Sequence, residues 1–308
     1  MTSTFLLHTS EALAEVMATI RVSGAVLSLA HLEAPFTVAS GEVSTGVFHA
    51  VLDGEAWATL VAGGEAVHLR AGQVAVFPSG AAHVIASNPE PRTAPVPVSA
   101  GGDGPLPTMH VAGDGPTTRI LCGTITFEDS PVFTVADTLP DMVVTGSEAS
   151  PDWVHSTVEL IADELSSDIP ASRVVAERLA DVLVVRTLRE IVGTGLGAGW
   201  AAGLRDVQLA SALAAFHRDP GSTWTVAALA DAASMSRSSF YERFTTVVGS
   251  APGAYVTRWR IHLACGRLRS GESVSMAGRA VGFATDAGFS TTFKRLIGMT
   301  PSAYKRSA

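Results

Sequence analysis

The chain is short of cysteine, of charge and of aromatic rings, and each shortage removes a class of protein. Its 308 residues include only two cysteines, Cys122 and Cys265. They lie far apart and neither belongs to a C-x-x-C pair, which excludes zinc fingers and a disulfide scaffold and leads us to expect a reducing, cytoplasmic setting. Charged residues make up 16% and aromatic ones 6%, against 47% hydrophobic, the balance of a globular chain rather than a disordered one. No run of eighteen apolar residues occurs, so no membrane span is expected. The opening MTSTFLLHTSEALAEV lacks a basic start and a long apolar stretch, which argues against a secretory signal. Neither a Gly-rich phosphate loop nor a Ser/His/Asp arrangement is visible, and the chain is expected not to be an enzyme.

What is present is a division of charge. The formal net charge of −8 hides two opposite regions. Residues 1–204 hold 8 Lys+Arg and 23 Asp+Glu, whereas residues 205–308 hold 13 and 6. An acidic front joined to a basic back points to a nucleic-acid partner for the back. The length also suggests more than one core. We therefore expect an α+β chain in three segments: a sheet-rich domain over 1–150, a helical segment over 151–203 and an all-α domain over 204–308.

The periodicity follows that division. Residues 11–23 have the apolar spacing of a short helix, with Leu13, Val16, Met17 and Ile20 on one face. From Gly24 to about Ser87, short apolar runs punctuated by Gly, Pro and Asp predict strands and tight turns. Residues 88–118 are rich in Pro and Gly and predict a long loop, placed to act as a lid. Strand-like sequence returns in TRILCGTITF, ending near Phe127. Helices are predicted over 152–166 and 171–192, and GTGLGAGWAAG (193–203) breaks the helical pattern. The second of these helices is apolar on so broad a face that it needs a partner on two sides. That excess predicts a homodimer.

Within the basic region a single pattern occurs twice. A small-residue helix with Val226, Leu229, Ala230 and Ala233 is followed by a tight turn. Ser236 then caps a second helix that buries Phe240 and Phe244. About fifty residues on, a small helix over 275–281, Gly282 and a helix from about Thr285 repeat the plan with Phe289 and Phe293. Residues 252–271 form one connecting helix opened by Pro252 and closed by Gly271. Two closely packed helices with the second one capped make a helix-turn-helix, whose second helix enters the major groove. Groove-facing positions follow from helix geometry: Ser236 and Arg237 at the start of the first reading helix, then Ser238, Tyr241 and Glu242. In the second they are Thr285, Asp286, Ala287 and Thr291, with Lys294 and Arg295 placed for phosphate. A glutamate there can accept from a cytosine amine, while cations grip the backbone.

These residues resemble the AraC/XylS family. The second unit matches its signature at Gly282, Phe283, Phe289, Phe293, Lys294, Gly298, Pro301 and Tyr304. It departs with Thr285 for serine, Lys305 for arginine and Thr291 where arginine is frequent. The first unit matches at Ser236, Arg237, Phe240, Phe244, Gly249, Pro252, Tyr255, Arg260 and Ala264. The resemblance spans about residues 205–306. It implies sequence-specific binding of double-stranded promoter DNA, work alongside RNA polymerase, and activation more than repression.

The front region resembles a cupin. Residues 72–83, GQVAVFPSGAAH, match its second motif at Gly72, Pro78, Gly80 and His83, with Ser87 in place of asparagine. The first motif is largely missing: His49 is followed by Gly54, but the paired histidines and glutamate of metal-binding cupins are absent. The resemblance implies a small β-barrel with His49 and His83 facing inward, so that with Cys122 they form the candidate site for a small-molecule or redox effector. His49 and His83 are also the candidate metal ligands, although a secure site needs more donors. Two other readings stay open here: a cupin metalloenzyme carrying a DNA-binding tail, and an effector-independent DNA binder.

Overall fold

The computed structural model describes residues 22–91, 93–97, 107–127, 132, 136–146, 153–166, 169–194 and 198–307. The described residues group into two compact units, one drawn from residues 22–127 with 139–194 and one from residues 198–307 with 132 and 136–138. The amphipathic stretch expected over 11–23 lies mostly outside the described residues, and its last two positions, Val22 and Ser23, already belong to a strand.

The first unit is two facing sheets. One contains β1 (Val22–Glu33), β3 (Gly46–Asp53), β6 (Val74–Phe77), β9 (Thr108–Val111), β10 (Thr117–Phe127) and β11 (Val143–Thr145), in the order β11-β6-β3-β10-β1-β9. The other contains β2 (Thr37–Ser40), β4 (Glu55–Leu60), β5 (Val67–Arg70), β7 (His83–Ala86) and β8 (Val96–Pro97), in the order β5-β4-β7-β2-β8. The expected barrel is therefore corrected to a sandwich, since the sheets do not close on each other. Closure needs edge strands long enough to carry a ladder around the corner. The four edge strands here are only two to four residues long. The long loop predicted over 88–118 is corrected too, because it contributes β8 and β9, which pair in parallel with β2 and β1. Met109 of β9 packs into the core, so at this point the segment is part of the wall and not a cover.

Between the sheets lie Leu32, Phe36, Val51, Leu69, Phe77 and Ile120, all nearly inaccessible. β3 is buried at seven of its eight positions rather than at alternate ones. The cause is a second cover: α1 (Trp153–Ser166) packs on β3 and α2 (Ser172–Thr194) on β1. α2 comes close because Gly24 has no side chain; a Cβ there would stand 2.8 Å from the Ala180 carbonyl oxygen. Asp181 Oδ1 accepts the Gly24 N–H at 2.9 Å, supplying an acceptor to the strand from the helix. The inward row of α2 includes Ala176, Ala180, Leu183, Val184 and Leu188, whereas Val174, Val175, Val182 and Val185 are exposed.

The second unit is helical: α3 (Gly199–Arg205), α4 (Leu209–Arg218), α5 (Val226–Ala232), α6 (Arg237–Val248), α7 (Pro252–Arg269), α8 (Val274–Ala280), α9 (Asp286–Ile297) and α10 (Pro301–Ser307). α3 overlaps the end of the stretch expected to break the helical pattern. Trp200, Ala201 and Leu204 of that helix are buried, so packing overrides the local glycines. α7 opens on Pro252 and stops at Gly271, whose φ is +92°. It carries one face to each helix pair: Tyr255 toward Phe244, and Ile261, Ala264, Cys265 and Leu268 toward Phe289 and Phe293.

Candidate nucleic-acid interface and sensor site

Each reading helix begins with the cap that the sequence promises. Ser236 Oγ accepts the Ser239 N–H at 3.2 Å and Thr285 Oγ1 accepts the Gly288 N–H at 3.1 Å. Both helices end on a left-handed glycine, Gly249 and Gly298, the residue that adopts this conformation most readily. Phe240 with Phe244, and Phe289 with Phe293, are fully buried with ring centroids 5.4 and 5.5 Å apart. Burial of one stripe fixes which face is bare. Arg237, Ser238, Tyr241 and Glu242 are exposed on α6, and Asp286, Ala287, Thr291, Lys294 and Arg295 on α9.

Of the groove-facing positions expected from sequence, Thr285 is engaged in its cap, and two more have local duties. Ser236 is occupied in its cap, and Asp286 Oδ1 accepts from Ser275 Oγ of α8 at 3.1 Å. One residue that the sequence reading did not single out is prominent. Arg243 Nε donates to both oxygens of Asp206, at 3.0 and 2.9 Å, on the same side of α6 as Glu242. Asp206 in turn accepts the N–H groups of Gln208 and Leu209 at the start of α4. Burial works against its charge, but Arg243 and those N–H groups outweigh it and hold the carboxyl below its usual range. An open groove of about 790 Å³ runs here, lined by Ser236, Ser239, Glu242 and Arg243 among others.

In the first unit, the three candidate sensor residues come together from separate strands. His49 on β3 and Cys122 on β10 are paired across the ladder, and His83 reaches in from the head of β7 in the opposite sheet. All three are buried. Phe77 stacks on His83 at 3.6 Å, and Ser87, which stands where the motif has asparagine, accepts the Phe36 N–H at 3.1 Å. The contacts fix the proton positions. His83 Nδ1 lies 2.7 Å from the Ala81 carbonyl, which can only accept, so Nδ1 carries the hydrogen. Burial depresses the pKa of both rings, that of His49 down to about 3 with a further push from His83, and both are neutral. His83 Nε2 is then an acceptor, and His49 Nε2 donates to it at 2.8 Å. His49 Nδ1 must therefore accept, and the Cys122 thiol donates to it at 3.0 Å. Burial pushes that thiol up to about 12, partly offset by a hydrogen bond with Ser28. The result is a one-way relay, Cys122 to His49 to His83 to Ala81.

The same geometry does not suit a metal ion. Cys122 and His83 approach opposite nitrogens of the His49 ring, so the three donors are strung in a line. A mononuclear centre needs N and S donors at about 2.0–2.3 Å from one point. Among the described residues no cluster of three His, Cys, Asp or Glu side chains has that arrangement. The void beside His49 and Cys122, walled by Leu32, Val38, Ile85 and Met109, amounts to about 10 Å³.

Comparison with known proteins agrees with both halves. Residues 11–193 match the cupin family and residues 229–307 match a helix-turn-helix domain. The chain belongs to the AraC-type regulators with an N-terminal cupin domain. It is 38% identical over 199 residues to a putative AraC-like transcription regulator of Streptomyces antibioticus, covering 63% of this chain and 66% of that one, so slightly under two thirds of the relative is spanned. It is 28% identical over 269 residues to an uncharacterized HTH-type transcriptional regulator of Haemophilus influenzae, covering 86% and 88%. It is 26% identical over 272 residues to the RCS-specific HTH-type transcriptional activator RclR of Escherichia coli, covering 86% of each chain.

Within this AraC-type chain, some functional geometry had a sequence signal and some did not. Asp206 closes α3 and accepts backbone N–H groups at the start of α4 across a two-residue gap, and its pairing with Arg243, thirty-seven positions away, leaves no local trace. The relay order likewise depends on the Ala81 carbonyl, a backbone atom that no motif names.

Proposed function

We propose that this chain binds double-stranded promoter DNA through the bare faces of α6 and α9 and regulates transcription by RNA polymerase in answer to a signal received in its cupin unit. The observation that carries this is the repeated geometry: two capped helices, each with one stripe buried by a phenylalanine pair and the other left bare, in the basic region of the chain. Arg237, Lys294 and Arg295 are placed to hold phosphates, and Ser238, Tyr241, Glu242 and Thr291 to meet base edges. The E. coli relative is named an activator, which supports activation as the direction of control. The chain works as a homodimer, supported by the exposed valines of α2, which need a second surface.

The relay of Cys122, His49 and His83 is the site of the signal. A void of about 10 Å³ holds roughly one water molecule, far below the several hundred Å³ of an organic-ligand pocket. The signal is therefore a small effector that enters by opening the site, or an oxidant of the peroxide class that takes the Cys122 thiol to a sulfenic acid with release of water; burial and the raised thiol pKa require the site to open first in either case. Retention of genomic DNA fragments by the full chain, followed by elution with rising salt, tests the DNA-binding reading. Steep salt dependence is expected, and no enriched fragment at low salt would refute it. A reporter on an enriched promoter then compares Cys122→Ser and His83→Ala with wild type at matched protein levels. Unchanged responses in both would remove the relay from the signal path.

A further inference from the structure

The loop leading into the first helix-turn-helix unit meets the turn of the second, and one side chain of the connecting helix grips both. Arg260 on α7 donates through Nε to the Pro220 carbonyl at 2.8 Å and through a terminal nitrogen to the Ser222 carbonyl, both in the loop leading into α5. Its other terminal nitrogen donates to the Gly282 carbonyl at 3.3 Å, in the turn between α8 and α9. The loops themselves touch. A Cβ on Gly221 would stand 2.8 Å from the Ala280 carbonyl oxygen, and one on Gly282 would stand 2.5 Å from the Gly221 carbonyl oxygen and 2.8 Å from the Arg260 guanidinium. Gly282 also has φ +87°, a left-handed conformation that glycine adopts without strain. The guanidinium is half-buried and engaged by three backbone acceptors, so it is not offered to phosphate.

We infer that Arg260 is a specificity-positioning residue: by bolting the α5 approach loop to the α8–α9 turn it fixes the relative pose of α6 and α9, and so sets the spacing of the two half-sites that one chain reads. The inference rests on the DNA-binding reading above. A planar fork with several donors suits this role, because it can satisfy three carbonyls in fixed directions, which a flexible ammonium cannot. A rigid pair of reading heads engages a duplex at one separation only. A loosened pair tolerates several separations and loses the gain that comes from binding both at once. Lys305 shows the contrast: its Nζ donates to the Gly271 and Glu272 carbonyls at 2.6 and 2.9 Å, tying α10 to the turn after α7 without reaching the first helix pair.

The test is selection from a pool of random-sequence duplexes with the full wild-type chain, R260M and R260K, each checked for a cooperative melt. Wild type is expected to enrich two half-motifs at one fixed spacing. The variants are expected to enrich the same half-motifs at a spread of spacings, and to bind the wild-type duplex on the order of tenfold more weakly while single half-site duplexes change little. Should R260M fail to fold, R260K decides, since it keeps the charge but not the fork. G282A strikes the same junction from its other side and is expected to spread the spacing likewise. One unchanged spacing in the folded variants overturns the inference, and so does a wild-type selection that yields a single undivided motif. A wild-type selection with no enrichment refutes instead the DNA-binding reading beneath it.

Discussion

Acid should unfold the helical unit through two histidines that burial holds neutral. His217 is fully enclosed among Phe216, Tyr255 and Trp259, its Nε2 2.9 Å from the Tyr255 hydroxyl, and its pKa is pushed down to about 3. His262, also buried, is pushed down to about 4 by burial and then by Arg269. In the unfolded chain both titrate near the ordinary histidine value of 6.5. The unfolded state thus takes up protons first, and the stability present above that value falls as pH drops toward the folded value. Between about pH 7.5 and pH 5 each histidine costs roughly 2 kcal/mol, and the pair about 4 kcal/mol, a large part of a domain's total. Urea melts of the full chain across that range, followed by tryptophan fluorescence, measure the loss, since the Trp259 and His217 ring centroids are 4.3 Å apart. His217→Gln removes one titrating group and should flatten the slope by up to about 1.4 kcal/mol per pH unit. A melt as stable at pH 5 as at pH 7.5, or an H217Q slope equal to that of wild type, would refute the reasoning.

Four other outcomes are expected. Ser236→Ala and Thr285→Ala each remove a side-chain cap and should cost about 1 kcal/mol by urea melting, with weaker DNA retention. Ser234 has φ +54° in the turn before α6, so Ser234→Gly should raise stability by up to about 1 kcal/mol through relief of a left-handed conformation. Val182→Asp should leave the circular dichroism unchanged and shift sedimentation toward monomer, whereas Leu183→Asp, at a buried position, should unfold the first unit. Lys294→Ala should weaken binding to all duplexes alike and reduce the salt slope by about one unit, while Glu242→Ala should change preference at one base by about 1–3 kcal/mol.

The helical unit was legible because its cues are local. A cap, a phenylalanine pair four residues apart and a closing glycine lie within a few turns of each other in Ser236–Gly249 and Thr285–Gly298, while Thr225–Ala232 carries the cap alone. The sandwich was legible as strands but not as an arrangement. β3 reads GVFHAVLD with no polar alternation, and only the helix laid over its outer face explains why. β9 hides in a Pro/Gly-rich stretch because a four-residue edge strand needs little pattern once β1 supplies its partners. β11 has three residues and no signal of its own. The inward aim of His49 and His83 followed from the cupin motif, but the direction of the relay did not, because it is set by one carbonyl oxygen.

The pairing of β1 with β10 also bears on the order in which the chain becomes functional. The central ladder of the sandwich joins residues 22–33 to residues 117–127, and α2 must then arrive to cover β1. Such distant pairings close slowly because a long loop loses its freedom before any contact rewards it, whereas helices that pack on their neighbours in sequence form orders of magnitude faster. Synthesis offsets that slowness: the sheet unit leaves the ribosome before residues 195–308 do, and at roughly 5–20 residues per second it has on the order of ten seconds to close its central ladder before the last helix appears.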